Sequence, residues 1–207
     1  MNWLTITPSK LAIFDMDGTL IPGTTAAQEI AKTSDTLKEI QALESSYSRG
    51  EIDSMQFSHR ANEYWHQSGP QLYQQAWEAS PKLENISSTL ASLRSNGFIT
   101  CLITMAPIEF ARCFQEFDYV YGSNYGKRII NPEDKPNIAL NLQRKYQIDL
   151  ENTFAFGDSH SDIPLFSILT NTLAVNGSPE LQELAKAAYV GNDLREATEL
   201  LIPECFQ

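Results

Sequence analysis

An α/β fold is what this 207-residue sequence predicts: a Rossmann-like parallel sheet core with a small helical cap domain inserted after the first strand. Three observations carry the prediction. Short apolar runs alternate with helix-patterned segments, as strand–helix–strand units require. Acidic or hydroxyl residues (Asp15, Thr104, Asp158) stand where three of those runs end. The interval from residue 15 to residue 104 is far longer than the roughly 30–40 residues of a simple crossover.

Leu11, Ala12, Ile13 and Phe14 form the first apolar run, and Gly18-Thr19 breaks it. In an extended segment successive side chains alternate, so Asp15 and Asp17 share one side and Met16 takes the other. Two carboxylates aimed together repel unless a cation, a shared proton or a polar network relieves them. A hard divalent ion such as Mg²⁺ would do so and leave one oxygen free to attack phosphorus. Taken alone, the heptapeptide also fits an acidic turn after a strand.

Residues 21–80 form the insertion, which assigns 1–20 and 81–207 to the core. The insertion holds Tyr47, Phe57, Tyr64, Trp65, Tyr73 and Trp77, expected mainly to build its own small core. Because it leaves the sheet at the twin carboxylates, its expected place is over the reaction centre, as a mobile cap. The crossover itself falls to a helix at 82–96 with Leu83, Ile86, Leu90 and Leu93 on one face, stopped by Gly97. Further strands are read at 98–104, 117–121, 153–157 and 172–175, and helices at 107–116, 135–147, 162–169 and 178–188.

The stretch from Phe154 to Phe166 repeats the grammar of the first motif: an apolar strand ending at Gly157, then Asp158 and Asp162 across a polar turn. Four carboxylates converging from two strands would be too costly without a cation, and oxygen ligands with retained waters suit Mg²⁺. Lys135, by default a surface lysine, precedes Pro136 near a helix N-terminus, where its ammonium and the free N–H groups could both face an anion. Thr104 adds a hydroxyl and its neighbours' N–H groups as phosphate donors, a weak signal by itself.

Composition narrows the partners. A formal net charge of −11 argues against a general nucleic-acid binder, and any phosphate site must be built locally. No apolar stretch approaches the roughly 18 residues of a membrane span. Met1 to Lys10 lacks a basic start followed by an apolar segment, so no secretory leader is read there. Cys101, Cys113 and Cys205 are scattered, which fits free thiols in a reducing cytoplasm. His59, His66 and His160 are read as non-ligands, since imidazole suits Mg²⁺ poorly.

Together these four motifs resemble the haloacid dehalogenase-like superfamily of phosphohydrolases, over most of the chain. The D-x-D-G-T form at Asp15–Thr19 and the G-D-S-x-x-D-x-P-L ending at Gly157–Leu165 carry the resemblance. The helical insertion directly after the first motif is similar to the subgroup containing phosphoserine phosphatase. The resemblance implies that Asp15 is the nucleophile and forms an aspartyl-phosphate, with Asp17 as general acid and then base. It implies Mg²⁺ held by a carboxylate oxygen of Asp15, the backbone carbonyl of Asp17 and a carboxylate oxygen of Asp158. Asp162 would orient a metal-bound water or the Lys135 ammonium. Thr104 and Lys135 would hold the phosphoryl oxygens, helped by N–H groups around Gly18 and Met105.

Two departures from that subgroup concern the substrate. Thr104 is followed by Met105-Ala106-Pro107 rather than a Gly-Gly pair, and Gly23-Thr24-Thr25 stands where a Glu would grip an ammonium. Thr24 and Arg60 (or His59) are the insertion residues expected to meet substrate. The expected activity is Mg²⁺-dependent hydrolysis of a small phosphorylated metabolite in the cytoplasm, with no nucleic-acid or membrane partner. A phosphotransferase or mutase, and a non-catalytic regulatory relative, are the alternatives.

Overall fold

A computed structural model describes residues 8–206, so the leader reading at Met1 to Lys10 falls largely outside the described residues. Six strands form one parallel sheet: β1 (Lys10–Phe14), β2 (Phe98–Pro107), β3 (Tyr119–Ser123), β4 (Thr153–Gly157), β5 (Asn171–Val175) and β6 (Ala187–Tyr189), in the order β3-β2-β1-β4-β5-β6. Among the described residues ten α-helices accompany them: α1 (Ala26–Thr33), α2 (Leu37–Ser48), α3 (Ser54–Trp65), α4 (Pro70–Ala79), α5 (Ile86–Ser95), α6 (Ile108–Ala111), α7 (Asp134–Tyr146), α8 (Ile163–Phe166), α9 (Pro179–Leu184) and α10 (Leu194–Glu199).

β1 is central, pairing Ile13 with Cys101 on one side and with Ala155 on the other. A strand covered on both faces must be apolar throughout, and Leu11 to Phe14 are all buried. The two-residue alternation sorts them: Ala12 and Phe14 pack on one face with Leu90 and Leu93 of α5, Leu11 and Ile13 on the other with Leu142 of α7 and Leu165 of α8. Phe14 stacks on Phe156 of β4 at 4.5 Å between ring centroids. Chain order reverses between β1 and β4, so a crevice opens beyond their carboxyl ends.

Helices α1 to α4 occupy the long interval between β1 and α5. Their starts carry ordinary signals: the Thr25 side chain caps α1, Asp53 and Gln56 form a capping box on α3, and Pro70 follows Gly69 at the start of α4. Ile30, Ile40, Trp65 and Leu72 pack into the same cluster as Phe14 and Leu90, so the insertion's apolar interior is continuous with one side of the sheet.

Several boundaries differ from the sequence reading. The helix expected at 178–188 ends at Leu184, and Ala187–Tyr189 become an edge strand paired with β5. Ala-Lys-Ala-Ala has helical propensity, but sheet pairing overrides it. α6 is one turn rather than ten residues: Pro107 belongs to β2, and past Ala111 the chain goes into turns in which Cys113 N–H donates to Phe110 O and Phe114 N–H to Ala111 O. The 162–169 helix is a 3₁₀ turn at His160–Asp162 followed by the short α8. β3 runs two residues later than expected, and α10 was not expected.

Candidate active site

The strand alternation invoked for Asp15 and Asp17 does not govern them, because β1 ends at Phe14. A tight turn replaces it: the N–H groups of Leu20 and Ile21 both donate to the Met16 carbonyl, and Gly18 N–H donates to Ile21 O at 3.1 Å. Asp15 stays attached to the sheet through its own N–H, which donates to Phe156 O at 2.9 Å. Its carboxylate accepts from Lys135 Nζ at 2.7 Å, and the same ammonium donates to Asp162 Oδ1 at 2.7 Å and Ser161 Oγ at 3.2 Å.

Lys135 is therefore not the surface lysine of the default reading; it is 1% exposed. A buried ammonium is tolerable only between paired carboxylates, and Asp15 and Asp162 supply them. Burial lowers the Lys135 ammonium, but the charges and hydrogen bonds of its two partners outweigh that and hold it above its usual range. Asp162 uses its other oxygen locally, accepting from Asp158 N–H at 3.1 Å and Ser159 N–H at 3.3 Å.

Carboxylate oxygens of Asp15, Asp158 and Asp162 lie within 4.8 Å of one another. One lysine cannot neutralise three carboxylates, and the imbalance is visible in their acidity. Burial pushes Asp15 well above the ordinary range against the pull of Lys135, with Asp162 and Asp158 adding to the rise. Burial, then the Asp162 charge, pushes Asp158 up to about 7. This set of hard oxygen donors with surplus negative charge fits a divalent cation of the Mg²⁺ kind.

Two glycines permit the approach. Gly18 has φ +79°, and a Cβ there would collide with the Asp158 carboxylate; a Cβ at Gly157 would collide with that of Asp162. Because the Gly18 N–H is committed to Ile21, the site draws on its missing side chain rather than on a donor.

Asp17 stands apart from the acidic cluster. Its Oδ1 accepts from Ala26 N–H at 2.9 Å, at the N-terminus of α1, where the helix dipole favours negative charge. Burial raises it to about 7, while the Ala26 hydrogen bond and the Lys135 charge restrain the shift. Thr104 is buried, and its Oγ1 accepts from Ala106 N–H at 3.1 Å, which leaves its hydroxyl proton free to donate.

A cavity of ≈ 200 Å³ adjoins Asp17 and reaches Met105 and Ala106 after Thr104. From the insertion it takes Thr25, Glu44, Tyr47 and Phe57, and from the loop after β3 it takes Tyr125 and Ile130. Thr24 is not among these residues; its hydroxyl donates to Glu29 Oε1 at 2.6 Å. Arg60 and His59 are exposed on α3 and do not line the cavity, which that helix reaches through Ser54 and Phe57. His66 and His160 are exposed too.

Sequence reasoning missed Glu44 and Tyr125, and it placed Tyr47 and Phe57 with the insertion's own core. Of the six aromatics, Trp65 and Tyr73 are buried, Tyr64 is exposed, and Trp77 meets Phe114 edge-on at 5.6 Å. Half-burial of Tyr47 and Phe57 beside a polar Glu44 depends on how α2 meets α3, which no local pattern records.

A family model of haloacid dehalogenase-like hydrolases matches residues 9–167. The chain belongs to that family. Among similar proteins are phosphoserine phosphatases of Vibrio cholerae, 23% identical over 88% of this chain and 60% of that protein, and of Methanocaldococcus jannaschii, 22% identical over 90% and 95%. The chain thus spans about 60% of the length of the Vibrio relative. A solved substrate-bound phosphoserine phosphatase complex superposes with a TM-score of 0.77 at 20% identity, covering 93% of this chain and 98% of that one. A family hydrolase from Salmonella enterica serovar Typhi superposes at 0.82 with 19% identity, over 94% and 72%. At such identities the superpositions establish the shared fold.

Proposed function

We propose that this hydrolase is a phosphomonoesterase for a small phosphorylated metabolite. The observation that carries the reading is the cluster of Asp15, Asp158 and Asp162, two of them paired with the buried Lys135, beside a cavity that also reaches Asp17. Family membership and the phosphatase names of its relatives support the reaction class.

In this reading a carboxylate oxygen of Asp15 forms a bond to phosphorus as the bond to the leaving oxygen breaks. Asp17, with its carboxyl raised to about 7, gives its proton to that oxygen. The leaving alcohol departs through the cavity. Asp17, now ionised, takes a proton from the water that attacks the aspartyl-phosphate, and phosphate is released with Asp15 regenerated. Lys135 and the Thr104 hydroxyl hold phosphoryl oxygens, and Asp162 keeps Lys135 in place. Mg²⁺ would be held by Asp15, Asp158 and the Asp17 carbonyl, and when bound it neutralises phosphoryl charge.

Helices α1 to α4 act as a cap over this centre, corresponding to residues 21–80 between core segments 1–20 and 81–207; the cavity walls contributed by α2 and α3 support that division. A cytoplasmic location belongs to the same proposal. It is supported by three free thiols, and among the described residues no helix is long and apolar enough to cross a membrane. The test is release of phosphate from an aryl phosphate with Mg²⁺. Activity should vanish with EDTA and fall at least about a thousandfold in Asp15→Asn, with the circular dichroism spectrum unchanged. An Asp15→Asn protein that turns over at the native rate would overturn the assignment.

A further inference from the structure

The cavity beside Asp17 has a composition that the reaction itself does not require. Its polar wall includes Glu44, and its sides are Tyr47, Phe57 and Tyr125; among the described residues lining it there is no Lys, Arg or His. Glu44 is fixed rather than free. Oε1 accepts from the Thr25 hydroxyl at 2.9 Å and Oε2 from Gln28 Nε2 at 2.7 Å, so each oxygen keeps capacity for another donor. The rings stand at steep angles: Tyr47 to Phe57 at 57° and 6.1 Å, Phe57 to Tyr125 at 89° and 6.4 Å. They present separate walls, not one stacked face.

We infer that the leaving group accepted here is an organic cation without a carboxylate, as in a phosphorylated amino alcohol of the ethanolamine or choline type. The inference rests on the phosphomonoesterase reading and adds the substrate class to it. Aromatic walls attract an alkylammonium through the negative faces of the rings, and a carboxylate at one end neutralises it. The volume of ≈ 200 Å³ leaves space for a group of roughly half a dozen heavy atoms. A substrate carboxylate would face Glu44 with no cation in the lining to pair it, a desolvated like-charge contact that selects against amino acid phosphates. A neutral polyol phosphate finds hydroxyl partners in Thr25 and Ser54 but brings no charge for Glu44 to pair or for the rings to attract, so it gains less than a cationic ester.

The experiment measures kcat/KM of the Mg²⁺-loaded full chain for phosphocholine, O-phosphoethanolamine, O-phosphoserine, glycerol phosphate and an aryl phosphate. The cationic esters should exceed O-phosphoserine by about a hundredfold or more and glycerol phosphate by about tenfold. Glu44→Gln, which retains the shape and can keep partners in Thr25 and Gln28, should shrink the ratio of phosphocholine to glycerol phosphate about tenfold. Equal or better use of O-phosphoserine, or a ratio unmoved by Glu44→Gln, would overturn the inference. Aryl phosphate hydrolysis with no preference for the cationic esters removes this inference alone. Hydrolysis of no ester at all removes the phosphomonoesterase reading and this inference with it.

Discussion

The acidic centre and the cavity next to it are built by opposite routes. The centre is made of short-range motifs set on strand ends: Asp15 directly follows β1, and Asp158 directly follows β4. The pairing of Ile13 with Ala155 brings those ends side by side, so two local patterns become one site as soon as the sheet forms. The cavity draws two or three residues each from α2, α3, the end of β2 and the loop after β3, with Ala27 of α1, from segments far apart in sequence. In the proposed reading, chemistry sits on the strand ends and selection on residues that the insertion and the loop after β3 bring together.

That contrast can be broken most severely at Lys135. Lys135→Met leaves Asp15 and Asp162 without their buried partner, and the metal-free protein should lose about 3–5 kcal/mol in urea unfolding at pH 7. A loss under about 1 kcal/mol would mean that water already solvates these carboxylates.

A smaller effect comes from pH. Asp15, Asp17 and Asp158 all have folded-state pKa values raised above the usual carboxylate range, the last two to about 7. A raised carboxyl binds its proton more tightly when folded, so its stabilising effect is complete below pH ~4 and is lost as pH climbs through about 7. The metal-free Tm should thus contain a component that falls over that interval. Added Mg²⁺, which competes with those protons, should raise Tm more at pH 8 than at pH 5. An equal Mg²⁺ shift at both values would separate the metal from the carboxylates.

Arg60→Ala should have the least effect. The side chain is exposed and away from the cavity, so stability should stay within about 0.5 kcal/mol and KM within about twofold. A several-fold rise in KM would bring α3's outer face into the substrate path and erase the distinction between wall and surface.

Legibility follows the same division. Strand alternation with helices, the two aspartate motifs and the long interval after β1 are all read from neighbours along the chain, and the fold contains each of them. Lys135 was legible only as a candidate, because a lysine near a helix start is ordinarily solvated; its burial depends on Asp15, 120 residues away. Charge and a place in the insertion point to Arg60, whereas helical phase turns Ser54 and Phe57 toward the cavity. Edge strand β6 escaped because its residues favour a helix locally and are recruited by pairing with β5.

Residue order alone determined which side chains terminate the central strands, and hence that acid-rich turns would gather at one edge of a parallel sheet. Tertiary structure alone decided that Lys135 would be buried between two of them and that Glu44, Tyr47, Phe57 and Tyr125 would enclose a single space. The physical reason is range: hydrogen-bonded turns and strand periodicity are encoded by neighbours, while desolvation of a charge and closure of a cavity depend on segments that meet only after packing.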